Sequence, residues 1–276
     1  MKTKSGRVTG GALLMAFTLM AAAQPVRFQD PLGDDNGPGT YVYPGSEVYS
    51  PGSFDLTAVE ISLRRRQLHV EACVNSELQD PWGTGAGFAV QMVLVFIDTD
   101  RASTSGYRKG LPGTNVRFSP RDSWEKVIIL SPQHQSHVLA EARRKAPDLL
   151  ADGALLVPKR SSGKGRCISG NVPAESIDPS ERYDLENWRY QVLMQSNEGF
   201  PAKGDLLTRK VNKKPGKHRF GGGHDRDCDP HVLDVLAPPA KGGEDEISAQ
   251  HEMLSYECDP EGRATRWATL NLVTVD

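Results

Sequence analysis

Phe54-Asp55-Leu56-Thr57-Ala58-Val59-Glu60-Ile61-Ser62-Leu63 is followed, after Arg64-Arg65-Arg66, by Gln67-Leu68-His69-Val70-Glu71-Ala72-Cys73-Val74. Apolar and polar residues alternate from Ala58 onward, and in the second run Leu68, Val70 and Ala72 share one face. A period of two belongs to a strand with one side on a core and the other in water. The two runs therefore read as a hairpin, and the three arginines as its basic tip rather than a nucleic-acid patch.

Strand signals continue outward from this pair. Val90-Gln91-Met92-Val93-Leu94-Val95-Phe96-Ile97 is almost continuously apolar, which predicts a central strand covered on both faces. Further strands are expected over Trp124–Leu130, Leu155–Pro158, Arg166–Val172, Tyr190–Gln195 and Trp267–Val275. Helical periodicity is confined to Ser136–Leu150, where Pro147 removes a backbone donor and interrupts the helix. Many strands between Gly- and Pro-rich turns indicate an all-β chain, a single-domain antiparallel β-sandwich with long loops and at most one or two short helices.

The N-terminus reads as a secretory leader. Lys2, Lys4 and Arg7 precede an apolar stretch from Ala12 to Ala22, and Ala21-Ala22-Ala23 offers a small-residue cleavage site. The stretch is shorter than the roughly 20 residues that span a bilayer, so no membrane span is expected. The mature protein, residues 24–276, is expected outside the cytoplasm, secreted or in the periplasm or cell envelope. The full chain carries 33 Lys and Arg against 35 Asp and Glu, and losing the leader's cations makes the remainder more acidic. That balance excludes a general nucleic-acid binder, which needs a concentrated basic surface.

The exported setting makes the four cysteines, Cys73, Cys167, Cys228 and Cys258, candidates for two disulfides. Three pairings are possible. Cys73–Cys167 with Cys228–Cys258 is favoured, because the first two sit in strand-like segments and the last two flank one acidic loop. Buried free thiols are the alternative.

Three places could carry chemistry. Asp30, Asp34, Asp35 and Asn36 fall within a Gly- and Pro-rich segment, and Asp55 follows a Pro-Gly turn. Such oxygens can converge on calcium, which takes about six to eight oxygen ligands, or can simply cap turns. Gly221-Gly222-Gly223-His224-Asp225, with Asp227 and Asp229 beyond, could bring backbone close to a ligand or form a tight surface loop. Trp82, Tyr41, Tyr43 and Tyr49 are candidate sugar-stacking rings, Trp82 foremost because it lies in a Pro-Trp-Gly loop. Trp124 and Trp188 open apolar strands and belong in the core. No Gly-x-Ser-x-Gly or His-Glu-x-x-His motif occurs.

An ordered set of segments runs from Asp30-Pro31-Leu32-Gly33-Asp34-Asp35-Asn36-Gly37-Pro38-Gly39 through Val48-Tyr49-Ser50-Pro51-Gly52-Ser53-Phe54-Asp55-Leu56, Asp80-Pro81-Trp82-Gly83 and Leu111-Pro112-Gly113-Thr114-Asn115-Val116. It continues through Trp188-Arg189-Tyr190-Gln191-Val192-Leu193 and Arg219-Phe220-Gly221-Gly222-Gly223-His224-Asp225 to Asp229-Pro230-His231-Val232-Leu233-Asp234-Val235-Leu236-Ala237-Pro238-Pro239. In that order the segments resemble the C-terminal binding-module domain of glucodextranases, over about residues 28–275. The resemblance implies a DOMON-like, immunoglobulin-like sandwich similar to family 9 carbohydrate-binding modules, which carry structural calcium. It implies an accessory, non-catalytic protein that recognises a polysaccharide, an α-glucan or an envelope glycan. The alternatives are a calcium-stabilised envelope interaction protein without a sugar ligand and, last, a metal-assisted hydrolase built on His224 and its Asp-rich loop.

Overall fold

A computed structural model describes residues 24–201, 203–237 and 245–275; the leader read at residues 1–23 lies outside them. In chain order its strands are β1 (Val26–Gln29), β2 (Leu56–Arg64), β3 (Gln67–Val74), β4 (Gln91–Asp98), β5 (Val116–Phe118), β6 (Lys126–Leu130), β7 (Leu155–Leu156), β8 (Ser161–Lys164), β9 (Cys167–Pro173), β10 (Arg189–Ser196), β11 (Asp234–Val235), β12 (Glu257–Cys258), β13 (Ala264–Arg266) and β14 (Ala268–Leu270). The helices are α1 (Gln135–Lys145), α2 (Pro147–Ala151) and α3 (Glu246–Leu254).

The alternating pair is the antiparallel hairpin β2–β3, with Val59 opposite Ala72 and Ile61 opposite Val70. Arg65 and Arg66 form its two-residue turn, both at positive φ (49° and 63°), the backbone that matches the twist of a hairpin and that glycine or asparagine usually supplies. The basic tip is answered by acid: Arg66 pairs with Glu181 and lies 3.9 Å from Glu175.

Two five-stranded sheets face each other. The first has the order β1-β2-β3-β9-β8 and is antiparallel throughout; the second has the order β11-β10-β4-β6-β7, with only β6–β7 parallel. Small two-stranded pairs, β12–β13 and parallel β5–β14, complete the strands. This is the expected all-β sandwich. Val59, Ile61, Leu68 and Val70 of the first sheet meet Val93, Val95, Ile97 and Val192 of the second in one buried core. The other face of β4 presents Met92, Leu94 and Phe96 to a second core, closed by Val138 and Ala142 of α1, Trp124, and Met253 and Leu254 of α3. All eight β4 residues are buried, because alternate side chains enter different cores. Trp124 and Trp188 are both buried, as expected.

Helix content is small. The expected helix breaks at Pro147: α1 ends at Lys145 and α2 begins with the proline at its first turn, where a missing N–H costs nothing. α3 had no counterpart in the sequence reading. It is capped by Asp245, whose carboxylate accepts the Ser248 N–H at 2.6 Å. Both disulfides have the favoured connectivity, Cys73–Cys167 and Cys228–Cys258. The first joins directly opposed residues of β3 and β9.

Candidate functional site

At one end of the sandwich the chain leaves β1 through Asp30 and Asp34, re-enters the first sheet at Asp55 and passes through the second at Asp234. All four are buried, Asp34 and Asp234 completely. Asp30, Asp34 and Asp234 bring carboxylate oxygens within 4.8 Å of one another. Three of the four carboxylates share a pattern, with one oxygen held by backbone. Asp30 Oδ1 accepts the Ala237 N–H at 3.2 Å, Asp234 Oδ2 the Leu56 N–H at 2.6 Å, and Asp55 Oδ2 the Gly33 N–H at 2.9 Å with the Asn75 amide at 3.0 Å. The second oxygen of each, and both of Asp34, are buried without a hydrogen-bond partner among the described residues.

Bare buried carboxylates are costly. Burial first, then repulsion from Asp34, pushes the Asp30 carboxyl up to about 9. Burial and Asp55 push Asp34 up to about 7, and burial with Asp30 and Asp34 raises Asp234. No Lys or Arg is among the groups acting on these three carboxyls. The four bare oxygens of Asp30, Asp34 and Asp234, close together and without a cationic side chain acting on them, make a donor set suited to a hard divalent cation.

The other two residues of the acidic segment turn away. Asp35 accepts the Tyr43 hydroxyl, and Asn36 Oδ1 lies 3.0 Å from His251 Nε2 of α3. Asp234 was missed. Its signal was an acid inside the apolar run Val232-Leu233-Asp234-Val235-Leu236, a position that demands a partner.

The aromatic set divides. Tyr41 and Tyr49 are buried with Phe54 and Phe220 in a third cluster, and half-buried Tyr43 packs against it. Their ring faces meet protein, so these three tyrosines form no sugar-stacking platform in this structure. Trp82 is 45 % exposed. The Arg209 guanidinium stands 5.9 Å from its ring centroid and the His218 ring meets it edge-on at 6.2 Å. Its loop is pinned by Asp80, which accepts the N–H groups of Thr84 and Gly85, both at 2.8 Å. Trp267, not singled out in the sequence, is half-buried with Arg117 4.7 Å from its ring centroid.

The glycine-rich turn approaches the protein's own backbone. A Cβ on Gly222, at φ +87°, would lie 2.0 Å from the Thr40 carbonyl oxygen. The side chains beyond it serve local bonds. Asp229 accepts the His224 N–H at 3.1 Å, Asp225 the Lys213 N–H at 3.0 Å, and Asp227 the Lys210 ammonium at 2.8 Å. Cys228 is tied to Cys258. His224 Nδ1 accepts the Arg226 N–H at 3.1 Å, and buried His231 places its Nε2 3.3 Å from Asp227 Oδ1.

The sequence profile of the family described as the C-terminal binding-module, SLH-like, of glucodextranase matches residues 26–271. The chain belongs to this family. The match embraces every strand from β1 to β14, together with the four buried aspartates and Trp82. As a glucodextranase-type binding module the chain falls in a class of accessory domains, and membership suggests a carbohydrate-binding role. No curated protein matches the chain. Among the described residues no helix is long and apolar enough to cross a membrane.

Proposed function

We propose that this glucodextranase-type module is a secreted or envelope-located, non-catalytic protein that recognises a polysaccharide, with Trp82 as a contact ring and a structural calcium ion at one end of the sandwich. Residues 24–276 are read as one domain behind a cleaved leader. The observation that carries the reading is family membership over residues 26–271. The exposed indole of Trp82 supports it, because a half-open ring can pack on the C–H face of a pyranose. Asp30, Asp34, Asp55 and Asp234 would hold the ion, which would supply the positive charge those carboxylates lack.

Burial of Tyr41 and Tyr49 favours one second reading, an ion-stiffened envelope interaction protein without a sugar ligand. Affinity electrophoresis of the mature chain in gels containing soluble α-glucans and envelope polysaccharides separates the two. Retardation by at least one glycan is expected. Trp82→Ala should weaken it about ten-fold, the loss of a ring contact worth about 1.5 kcal/mol. Uniform failure to retard rejects carbohydrate recognition; retardation untouched by Trp82→Ala rejects Trp82 as the contact.

A further inference from the structure

The loop that carries Trp82 continues through Thr84, Gly85 and Ala86 into one wall of a cleft of about 390 Å³. The other walls are the turn leading into α1 and the segment entering β8. Lys159 and Arg160 line it, both exposed, and no carboxylate does. Ser131 and Ser161 also line it and are only 2 % and 6 % exposed. Ser161 Oγ accepts the Ser131 N–H at 3.2 Å and Ser131 Oγ accepts the Gln133 N–H at 3.1 Å. Neither hydroxyl donates its own proton to an acceptor among the described residues, so two buried O–H donors remain available.

A second cleft, of about 700 Å³, runs along α1. Arg144, Lys145 and Lys203 line it, with Phe200, whose ring is 94 % exposed. Its one carboxylate, Glu141, is buried and already paired with Arg144 and Lys145. Gln133 bridges the two clefts. It lines the first, while its Oε1 lies 3.2 Å from Nδ1 of His137 in the second. A Cβ on Gly199, also in the second, would lie 3.4 Å from Gln133 Nε2. The two clefts adjoin at Gln133 as one groove lined by five Lys and Arg residues; Arg144 and Lys145 pair with Glu141, Arg160 donates one N–H to the Gly85 carbonyl at 2.6 Å, and the net charge of the chain is −2. Charges farther off than about 8 Å are largely screened at physiological salt, so the local cations govern a ligand inside the groove.

We infer that this groove receives an acidic polysaccharide, whose uronate carboxylates or phosphodiesters meet Lys159, Arg160 and the hydroxyls of Ser131 and Ser161, with the chain running on toward Phe200. The inference rests on polysaccharide recognition and names the ligand class. A nucleic acid fits less well. A single strand is held by successive rings that stack on its bases, and among the described residues Phe200 is the one Phe, Tyr or Trp that lines these clefts.

Isothermal titration of the mature chain with polygalacturonate, a phosphodiester-linked teichoic acid, neutral pullulan and oligothymidylate tests this. One of the two acidic glycans should bind, and the one that binds identifies the oxyanion. Its affinity should fall at least ten-fold between about 0.05 and about 0.5 M salt and ten-fold in the double variant Lys159→Gln, Arg160→Gln. Phe200→Ala, at a fully open position, should also weaken it and serves if the double variant is unstable. Pullulan binding that is unaffected by these variants, with no acidic glycan bound, overturns the groove while leaving polysaccharide recognition in place. If no glycan of either kind binds, both fail. Oligothymidylate binding as tightly as the better acidic glycan overturns the choice of a saccharide.

Discussion

Glu125 is the residue whose environment makes the most direct claim about pH. Burial, then the neighbouring Asp100 and Asp98 carboxylates, push its carboxyl up to about 7 from an ordinary value of 4.5. Its Oε2 still accepts the Thr99 N–H at 3.0 Å. The folded state therefore holds this proton more tightly than the unfolded chain. Its contribution to stability is complete below about pH 4.5 and is lost as pH rises through about 7. Glu125→Gln, which keeps the acceptor, should flatten the denaturation midpoint between those values while leaving it similar at the acidic end; urea titrations at several pH values check this. Single residues also mark the limit of what the sequence could tell. Trp82 was recognisable as exposed from its Pro-Trp-Gly setting, and Asp30, Asp34 and Asp55 as potential oxygen donors. The tyrosines were not separable from it, because the ring cluster that buries them is assembled by Phe220, far away in the chain.

At the level of elements, the long alternating or apolar runs were legible as strands because each carries its own period, as β2, β3, β4, β6, β9 and β10 do. The strands β1, β5, β8 and β11 are two to four residues long, too short to show a period, and exist because a neighbour offers a ladder. α3 has only a weak apolar face, and its place is fixed by contacts no local pattern encodes. One is Gln250, which accepts the Val235 N–H at 2.9 Å and donates to the Asp34 carbonyl. The disulfides act on elements unequally. Cys73–Cys167 closes a separation of 94 residues and Cys228–Cys258 one of 30. In the chain-entropy account these restrict the unfolded state by about 4.5 and about 3.5 kcal/mol. Replacing each pair by serine should lower the melting temperature in both cases, more for Cys73–Cys167, as read by calorimetry.

Across the whole molecule, the four-aspartate end joins what the core joins elsewhere. Asp30 and Asp55 belong to the first sheet's strand ends and loops, and Asp234 to the second sheet. An ion there would bridge the two layers. Saturating it at about a hundred times its dissociation constant stabilises by about 2.7 kcal/mol, or about 5–10 °C in a chain of this size. Chelation should lower the melting temperature by that amount and calcium should restore it. Asp34→Asn and Asp234→Asn should each blunt the restoration. A melting temperature indifferent to both chelator and calcium rejects the ion. The acidic segment was visible in the sequence but its cross-sheet partner was not, since Asp234 lies 200 residues from Asp34 in the numbering and meets it only once both sheets stand.

The central ladders of both sheets unite distant stretches: β3 lies against β9, and β4 against β10 along eight residue pairs. The first sheet therefore cannot be completed until synthesis has passed Pro173, and the second until it has passed Val235. Before β9 emerges the first sheet has β1, β2 and β3 paired, and before β10 emerges the second has β4, β6 and β7. Such late closure makes for slow folding. It would also keep the growing polypeptide threadable, the condition a translocation channel would impose if the chain is exported as proposed.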